Sequence, residues 1–379
     1  MIRRLLARFR GVIFGLFFGF GLAVLFVTWR DDAFYIKEKL IIEDYGGDGG
    51  VDSAPLLTQA ENSEPKEILR TGPRENETTT IDDDGTDSQN DLYKAYGHVH
   101  SILFFIGYLR SRHSLLGSLL DAHPHMVVSD EAMAFPRWIG GLQTWLNGSI
   151  YAFYDTLFGA SQSAVAHGRR SRVFEGRVVN VTSPYSYYVP NQWQGQYDQY
   201  IKVIGDKSGA FTAGAMRKDK AVDAVRLLEK AAGAKVKFVH VVRNPFDNIA
   251  TMVLQDARVK KREVGKHQTK VKASYILDES ISRYFGWAAG CNKARQAFPG
   301  SVIDIPSLEI VKNPADTLRK ICKFLSISCS ERYIQDCAAT VDPVPSMTRD
   351  LIEWTTEQKN RVYEEMKKYS FFDGYSYDQ

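Results

Sequence analysis

A mainly apolar run from Val99 to Ile106 ends in a short polar turn, which leads into a second mainly apolar stretch from Ser114 to Ala122. The first run is rich in aromatic and β-branched residues, which is typical of a strand buried on both faces of a parallel sheet. The second stretch predicts a helix. A strand that passes through a tight turn into a helix directs backbone N–H groups at one point, and such a point suits a phosphate group.

The turn also carries side chains that can donate hydrogen bonds to an anion. These are Arg110, Ser111, His113 and Ser114. The turn lacks the Gly-Lys-Ser/Thr of a nucleotide triphosphatase. We therefore expect a phosphorylated ligand here, without hydrolysis of ATP–Mg.

The rest of the globular region alternates between strands and helices. Further strands are predicted over Ile201–Gly205, Val236–Val242 and Ser301–Ile305, and further helices over Ala221–Ala232, from Pro245 to Asp256, and from Asn313-Pro314 onward. This alternation predicts an α/β, three-layer, P-loop-like domain with a central parallel sheet. Arg110, Lys207 and Arg243 all follow strands directly, so the fold should bring them together at the edge where ligands bind.

The N-terminal segment from Gly11 to Trp29 contains 19 residues without a charge, which is long enough to span the hydrocarbon layer as a helix. Four arginines precede it, and the positive-inside rule places them in the cytosol. A cleaved signal peptide is the alternative, although no A-x-A-like site follows. The predicted organisation is a cytosolic tail (1–10), a transmembrane signal-anchor (11–29), an acidic stem (30–95) and a lumenal domain (96–379).

Charge supports this division of the chain. Residues 43–95 hold 14 acidic and 4 basic residues, a net of −10, and are too poor in apolar residues to fold. The first 42 residues carry a net charge of +4. Because the whole chain has a net charge of +3, residues 96–379 carry a net charge of +9. A basic domain suits an anionic cofactor or substrate, although solubility alone would explain the charge equally well.

Sequons and cysteines are compatible with an oxidising lumen. The sequons begin at Asn76, Asn147 and Asn180. The four cysteines lie within 47 residues and show no zinc-binding pattern. They could form one or two disulfide bonds, and some of them could instead be buried free thiols. They are Cys291, Cys322, Cys329 and Cys337.

A second motif begins where the Val236–Val242 strand ends. Arg243-Asn-Pro is followed eight residues later by Thr251, about two helical turns away. An arginine fork and a hydroxyl group together can hold a phosphate dianion. Alternatively, Arg243 pairs with an acid such as Asp247, and Thr251 merely faces a neighbouring element.

The two motifs together resemble the sulfotransferase superfamily, whose members use 3′-phosphoadenosine-5′-phosphosulfate (PAPS). Residues 106–120 resemble the 5′-phosphosulfate loop of that family, and Arg243 to Thr251 resembles its 3′-phosphate motif. The pattern is closest to the membrane-anchored Golgi branch, tyrosylprotein sulfotransferases in particular, whose loop reads Arg-Ser-Gly-Thr-Thr, then Leu-Asp-Ala-His-Pro, then a Glu pair. Here these runs are Arg110–Ser114, Leu120–Pro124 and Asp130-Glu131. The resemblance covers roughly residues 99–330.

The resemblance also implies roles for individual residues. Glu131 matches the catalytic base, and His113 is the alternative base or a phosphate donor. Lys207 matches a lysine that stabilises the transferring sulfuryl group, and Asp206 is expected to orient it. The segment with Ser346, Thr348 and Arg349 lies where related enzymes close a loop over the cofactor. The alternatives are an ordinary surface or helix-start carboxylate for Glu131, and a salt bridge to Asp206 or a solvated end for Lys207.

Two departures from the family pattern concern the loop and the fourth strand. Arg112 replaces the loop glycine, so its side chain must turn outward or join as an additional donor. The family's tyrosine near the fourth strand is not evident, since Ile305-Pro306 stands there.

The function implied is sulfuryl transfer from PAPS, without a metal, to a hydroxyl group of a glycan or a protein tyrosine. The location implied is the Golgi membrane as a single-pass type II protein, with no nucleic-acid partner; a homodimer is left open. Two alternatives are a non-catalytic lumenal binding protein on the same fold and a P-loop nucleotide kinase.

Overall fold

The computed structural model describes residues 85–142, 149–166, 187–256, 258–259 and 270–378. The chain divides into two units, residues 1–67 with 255–267 and residues 68–254 with 268–379, and every helix and strand given below belongs to the second. The predicted tail and signal-anchor and the three sequons lie outside the described residues. Within the described ranges, no helix has both the length and the apolar character needed to cross a membrane.

The core of the domain is a sheet of five parallel strands in the order β2-β3-β1-β4-β5. The strands are β1 (Ser101–Gly107), β2 (Met126–Ser129), β3 (Val203–Asp206), β4 (Lys235–Val242) and β5 (Val302–Pro306). All seven residues of the central strand β1 are buried, because helices cover both faces of the sheet. The predicted α/β fold with a central parallel sheet is confirmed.

Twelve α-helices are described around the sheet. They are α1 (Gly85–Tyr96), α2 (His113–Asp121), α3 (Ala134–Arg137), α4 (Ile150–Ala166), α5 (Gly209–Met216), α6 (Ala221–Ala232), α7 (Pro245–Leu254), α8 (Ser274–Ala297), α9 (Ser307–Lys312), α10 (Pro314–Leu325), α11 (Glu331–Ala339) and α12 (Thr356–Met366). A π-helical turn (Trp138–Leu142) and two 3₁₀ turns (Arg349–Leu351 and Ser370–Phe372) complete the described helical structure.

Helix α1 lies at the end of the segment predicted to be a stem. Its last residues, Ala95 and Tyr96, are buried, and the Tyr96 hydroxyl donates a 2.9 Å hydrogen bond to Asp155 on α4. These contacts attach the helix to the domain. Ordered structure therefore begins before residue 96, where the sequence had placed the domain boundary.

The cysteines form one disulfide bond, which joins Cys322 on α10 to Cys329. Cys291 and Cys337 are buried free thiols, and burial raises the pKa of both. This selects one of the arrangements that the sequence left open.

Candidate functional site

The loop between β1 and α2 has an unusual backbone that curls around one point. Arg110 and Arg112 both adopt left-handed conformations, with φ of 68° and 75°. Ser111 between them is buried, and its hydroxyl donates a 2.8 Å hydrogen bond to the Tyr108 carbonyl oxygen. The first N–H groups of α2 have no partner within the helix, as at any helix start. The loop therefore has the form expected of an anion-binding turn.

Arg112 immediately precedes α2 at the position where the resembling family has glycine. A left-handed φ costs most residues free energy and costs glycine almost none. Arg112 therefore adopts a conformation in which glycine would be the least strained residue. Partial burial lowers the pKa of Arg112.

His113 lies beneath the loop, in the interior. Its Nε2 atom is 3.1 Å from the Ser111 hydroxyl, and its ring packs so closely on Gly107 and Gly209 that a Cβ at either position would overlap it. Burial, helped by Lys207, lowers the pKa of His113 to about 3. The imidazole is therefore neutral at physiological pH and supports the loop from below, so its placement favours Glu131 over His113 as the base.

Lys207 follows β3 and extends its side chain along α2. A Cβ at Gly117 would lie 2.8 Å from the Lys207 Cγ atom, so the glycine leaves room for the lysine stem. The ammonium group lies 2.5 Å from an Asp130 oxygen, 3.0 Å from a Glu131 oxygen and 3.0 Å from the Ser114 hydroxyl. Burial acts to lower the pKa of Lys207, but the two carboxylates outweigh it and raise the value. The ammonium group is therefore held charged.

Asp206 holds the acidic turn that carries Glu131. Its carboxylate accepts hydrogen bonds of 3.0 and 2.9 Å from the backbone N–H groups of Ala132 and Ala134, and one of 2.9 Å from the Ser129 hydroxyl. Glu131 itself has φ of 58°. The sequence suggested that Asp206 orients Lys207, whereas these hydrogen bonds show that it fixes the backbone of the turn opposite Lys207. Burial raises the pKa of Asp206.

Arg243 follows β4 and reaches the loop that follows β1. Its guanidinium donates hydrogen bonds of 2.9 Å to the Thr251 hydroxyl, 3.1 Å to the Arg110 carbonyl oxygen and 2.8 Å to the Ser346 carbonyl oxygen. A longer contact of 3.4 Å reaches the Thr348 hydroxyl. The sequence-predicted pair of Arg243 and Thr251 is thus brought together, and Ser346 joins it.

The charge of Arg243 is buried among uncharged acceptors. The residue is 7% exposed, and no carboxylate of the described residues forms an ion pair with it. Burial lowers its pKa to about 10, although Asp247 nearby acts in the opposite direction. A buried cation without a counter-ion is unfavourable, so the position is suited to receive an anion.

Asp247 and Arg349 form the buried ion pair that the sequence interpretation had considered for Arg243. An Asp247 oxygen is 2.5 Å from Arg349 Nη2, and the carboxylate also accepts the Thr348 N–H at 2.8 Å. Burial would raise the pKa of Asp247, but the Arg349 guanidinium and the backbone N–H groups lower it. Arg349, predicted to bind the cofactor, thus fixes the segment that carries Ser346 to helix α7.

Sequence reasoning considered Asp247 only as a partner of Arg243 and assigned no role to Asn248. The Asn248 side-chain amide donates a 2.6 Å hydrogen bond to the Leu109 carbonyl oxygen, which ties α7 to the β1–α2 loop. Both residues lie in the first turn of a helix that begins at Pro245. Their position at a helix start that follows a strand was the only sequence feature that could have indicated a role at the site.

Comparison with known proteins assigns the chain to a family. The family model described as "Sulfotransferase family" matches residues 103–331, more than half of the chain. The comparison with curated proteins found no match.

Several solved structures are similar to this chain. The sulfotransferase domain of the Synechococcus PCC 7002 olefin synthase is 13% identical, with 72% of this chain and 94% of that chain covered and a TM-score of 0.38. The Alicyclobacillus acidocaldarius sulfotransferase is 15% identical, with 72% and 93% covered and a TM-score of 0.37. Mouse sulfotransferase SULT7A1 complexed with PAP is 11% identical, with 75% and 90% covered and a TM-score of 0.35.

Proposed function

Because the chain belongs to the sulfotransferase family, we propose that it transfers a sulfuryl group from PAPS to a hydroxyl group of a glycan or a protein tyrosine. One observation carries the choice of donor: the buried guanidinium of Arg243 contacts the backbone of the β1–α2 loop at Arg110. Two features suited to binding anions, the Arg243 guanidinium and the β1–α2 loop, therefore lie next to each other. A nucleotide with phosphates at both its 3′ and 5′ positions has the matching charge pattern.

The described residues fit such a nucleotide. Arg243 and Thr251 would hold the 3′-phosphate, at a buried cation that has no ion-paired carboxylate within the described ranges. Ser111, Ser114 and the start of α2 would hold the 5′ end, with Lys207 beside them. The Arg243 guanidinium now donates to the Ser346 carbonyl oxygen and contacts the Thr348 hydroxyl. On binding, the phosphate oxygens would replace these two acceptors.

The proposed reaction uses the charged groups of this site. The acceptor oxygen forms a bond to sulfur as the sulfur–oxygen bond to the 5′-phosphate breaks, and the bonding electrons stay on the phosphate. Glu131 takes the hydroxyl proton of the acceptor. Lys207 stabilises negative charge that develops on the sulfuryl oxygens and the leaving phosphate. Asp206 keeps the backbone of the Glu131 turn in place for this role.

The donor is tested by comparing two nucleotides. Adenosine 3′,5′-bisphosphate (PAP) should raise the melting temperature of the protein through binding to the native state, and AMP should do so much less, because it offers Arg243 no phosphate. Equal shifts from PAP and AMP would contradict the assignment. Transfer of radiolabelled sulfate from PAPS to a panel of glycans, tyrosine peptides and small alcohols then identifies the acceptor. Binding of PAP without transfer to any of them would support the alternative of a non-catalytic binding protein.

We also propose that the protein is a single-pass type II protein of the Golgi membrane. The support is the uncharged segment from Gly11 to Trp29, the arginines before it and the three sequons after it. Expressed in cells, the full chain should lose mass on glycosidase treatment and stay with membranes in an alkaline wash. Replacing Asn76, Asn147 and Asn180 with Gln should abolish the loss of mass. Release of an unglycosylated soluble chain would contradict the proposal.

A further inference from the structure

The ammonium group of Lys207 has no hydrogen-bond donor to spare. An ammonium group has three N–H donors. Among the described residues, Lys207 Nζ contacts three side-chain oxygens, one each from Asp130, Glu131 and Ser114. For Lys207 to contact a sulfuryl oxygen, one of these three partners must leave.

The two carboxylates differ in how easily they can leave. The Asp130 side chain is 9% exposed and lies 2.5 Å from Lys207 Nζ, whereas the Glu131 side chain is 53% exposed and lies at 3.0 Å. A buried carboxylate that loses its partner keeps a charge that water cannot reach, and this is strongly unfavourable. An exposed carboxylate is hydrated when it separates, and exposed pairs contribute little. Of the two carboxylates, Glu131 is therefore the one that can exchange.

The backbone around Glu131 restricts what can move. Asp206 binds the N–H groups of Ala132 and Ala134, and the Ser208 hydroxyl accepts the Met133 N–H at 3.0 Å. Three successive residues after Glu131 are thus fixed to β3 and its continuation. Release of Glu131 from Lys207 needs only a rotation of its side chain.

We propose that the Lys207–Glu131 ion pair is an exchangeable latch that couples donor binding to activation of the base. The sulfuryl group of the donor replaces Glu131 on Lys207, and the freed carboxylate becomes available to take the proton of the acceptor. Asp130 stays bound throughout as the counter-ion that keeps Lys207 charged. This inference rests on the proposed function. It adds a sequence of events to the reaction, because Glu131 acts as a base only after the donor has bound.

The latch makes a prediction that a purely structural role of Glu131 does not make. PAPS carries the sulfuryl group that competes with Glu131, and PAP does not. In Glu131→Gln the neutral amide competes less well for Lys207. The ratio of PAPS affinity to PAP affinity should therefore rise by about two- to fivefold over wild type, the range expected for loss of an exposed ion pair. Affinity for PAP itself should stay unchanged, which also reports that the variant is folded.

The experiment is a calorimetric titration of PAPS and PAP, without acceptor, into four proteins: wild type, Glu131→Gln, Asp130→Asn and Glu331→Gln. Glu331 is the matched control, since it is also exposed, at 60%, and paired with a basic side chain, Arg319. Its substitution should leave the ratio unchanged. Asp130→Asn should lower the ratio, because Glu131 then becomes the sole carboxylate on Lys207 and leaves less readily.

An unchanged or lower ratio in Glu131→Gln would overturn the latch. A raised ratio in Asp130→Asn would overturn the division of roles between the two carboxylates. If wild type binds neither PAPS nor PAP, the proposed function fails and the latch fails with it. Binding of both nucleotides with no change between the variants would leave the proposed function intact and remove the latch alone.

Discussion

The guanidinium group of Arg243 donates a 3.1 Å hydrogen bond to the main-chain carbonyl oxygen of Arg110. The two residues are 133 positions apart and each belongs to one of the two sequence motifs. They meet because β1 and β4 are adjacent parallel strands, with Gly107 paired to Val241 at their carboxyl ends. The two motifs therefore form one site.

Substituting Arg243 with Ala should chiefly weaken nucleotide binding. A hydrogen bond to a charged group contributes about 1.5–3 kcal/mol, so PAP affinity should fall by roughly 10- to 150-fold. AMP affinity should change little, and the variant should no longer distinguish the two nucleotides. Calorimetry with PAP and AMP measures this, with Arg319→Ala as the control on an exposed, ion-paired arginine. Equal losses for PAP and AMP would show that Arg243 does not serve the 3′-phosphate.

The elements that carry this site were predictable from local patterns. Strand β1 is a mainly apolar run followed by a polar turn, and helix α7 begins at a proline three residues after the end of strand β4. Both signals are local in sequence. The rule that ligands bind at the carboxyl ends of parallel strands then predicted that Arg110, Lys207 and Arg243 lie at one edge of the sheet. Strand β2, four residues long, was not predicted, although strand β3 of the same length was.

Arg112 offers a test of backbone strain in the loop. With φ of 75°, it should tolerate glycine better than alanine, since both remove the side chain but only glycine adopts a left-handed conformation freely. The free energy of unfolding of Arg112→Gly should exceed that of Arg112→Ala by about 1 kcal/mol. Denaturant unfolding of the two variants gives this difference directly. An Ala variant as stable as the Gly variant would indicate that the loop relaxes at this position.

The network around Asp247 was not predictable from the sequence. Asp247 lies in the first turn of α7, where an acidic residue is common for reasons of the helix dipole alone. Its partners, Thr348 and Arg349, lie about a hundred residues away in a segment without regular periodicity. Only the tertiary fold decides that Asp247 pairs with Arg349, and that no carboxylate in the described part of the chain forms an ion pair with Arg243.

This network should make stability depend on pH in a defined direction. The pKa of Asp247 is lowered in the folded protein, so its contribution is complete above the ordinary carboxyl pKa of about 4 and is lost as the pH falls through the folded value. Asp247→Asn should lower the free energy of unfolding at pH 7 by about 3–5 kcal/mol, because it leaves Arg349 buried without a counter-ion. The gap between wild type and variant should narrow between about pH 5 and pH 2.

Denaturant unfolding at several pH values measures that gap. Asp316→Asn serves as control, because Asp316 is 81% exposed and pairs with Arg319 at the surface. That variant should differ little from wild type at any pH. A gap for Asp247→Asn that stays constant from pH 7 to pH 2 would show that ionisation of Asp247 does not contribute.

The last prediction separates Glu131 from His113 as the catalytic base. The side chain of Glu131 is 53% exposed beside Lys207, whereas the His113 ring is buried against two glycines. Burial lowers the pKa of His113 to about 3, which makes the imidazole a weak base without access to an acceptor. Glu131→Gln keeps the shape of the side chain and removes its proton affinity, so the rate constant should fall by about 10²–10⁴-fold while PAP affinity is retained. Single-turnover sulfate transfer measures the rate constant, with Glu331→Gln as control. Unchanged turnover in Glu131→Gln would remove Glu131 from the mechanism and require a base from outside this turn.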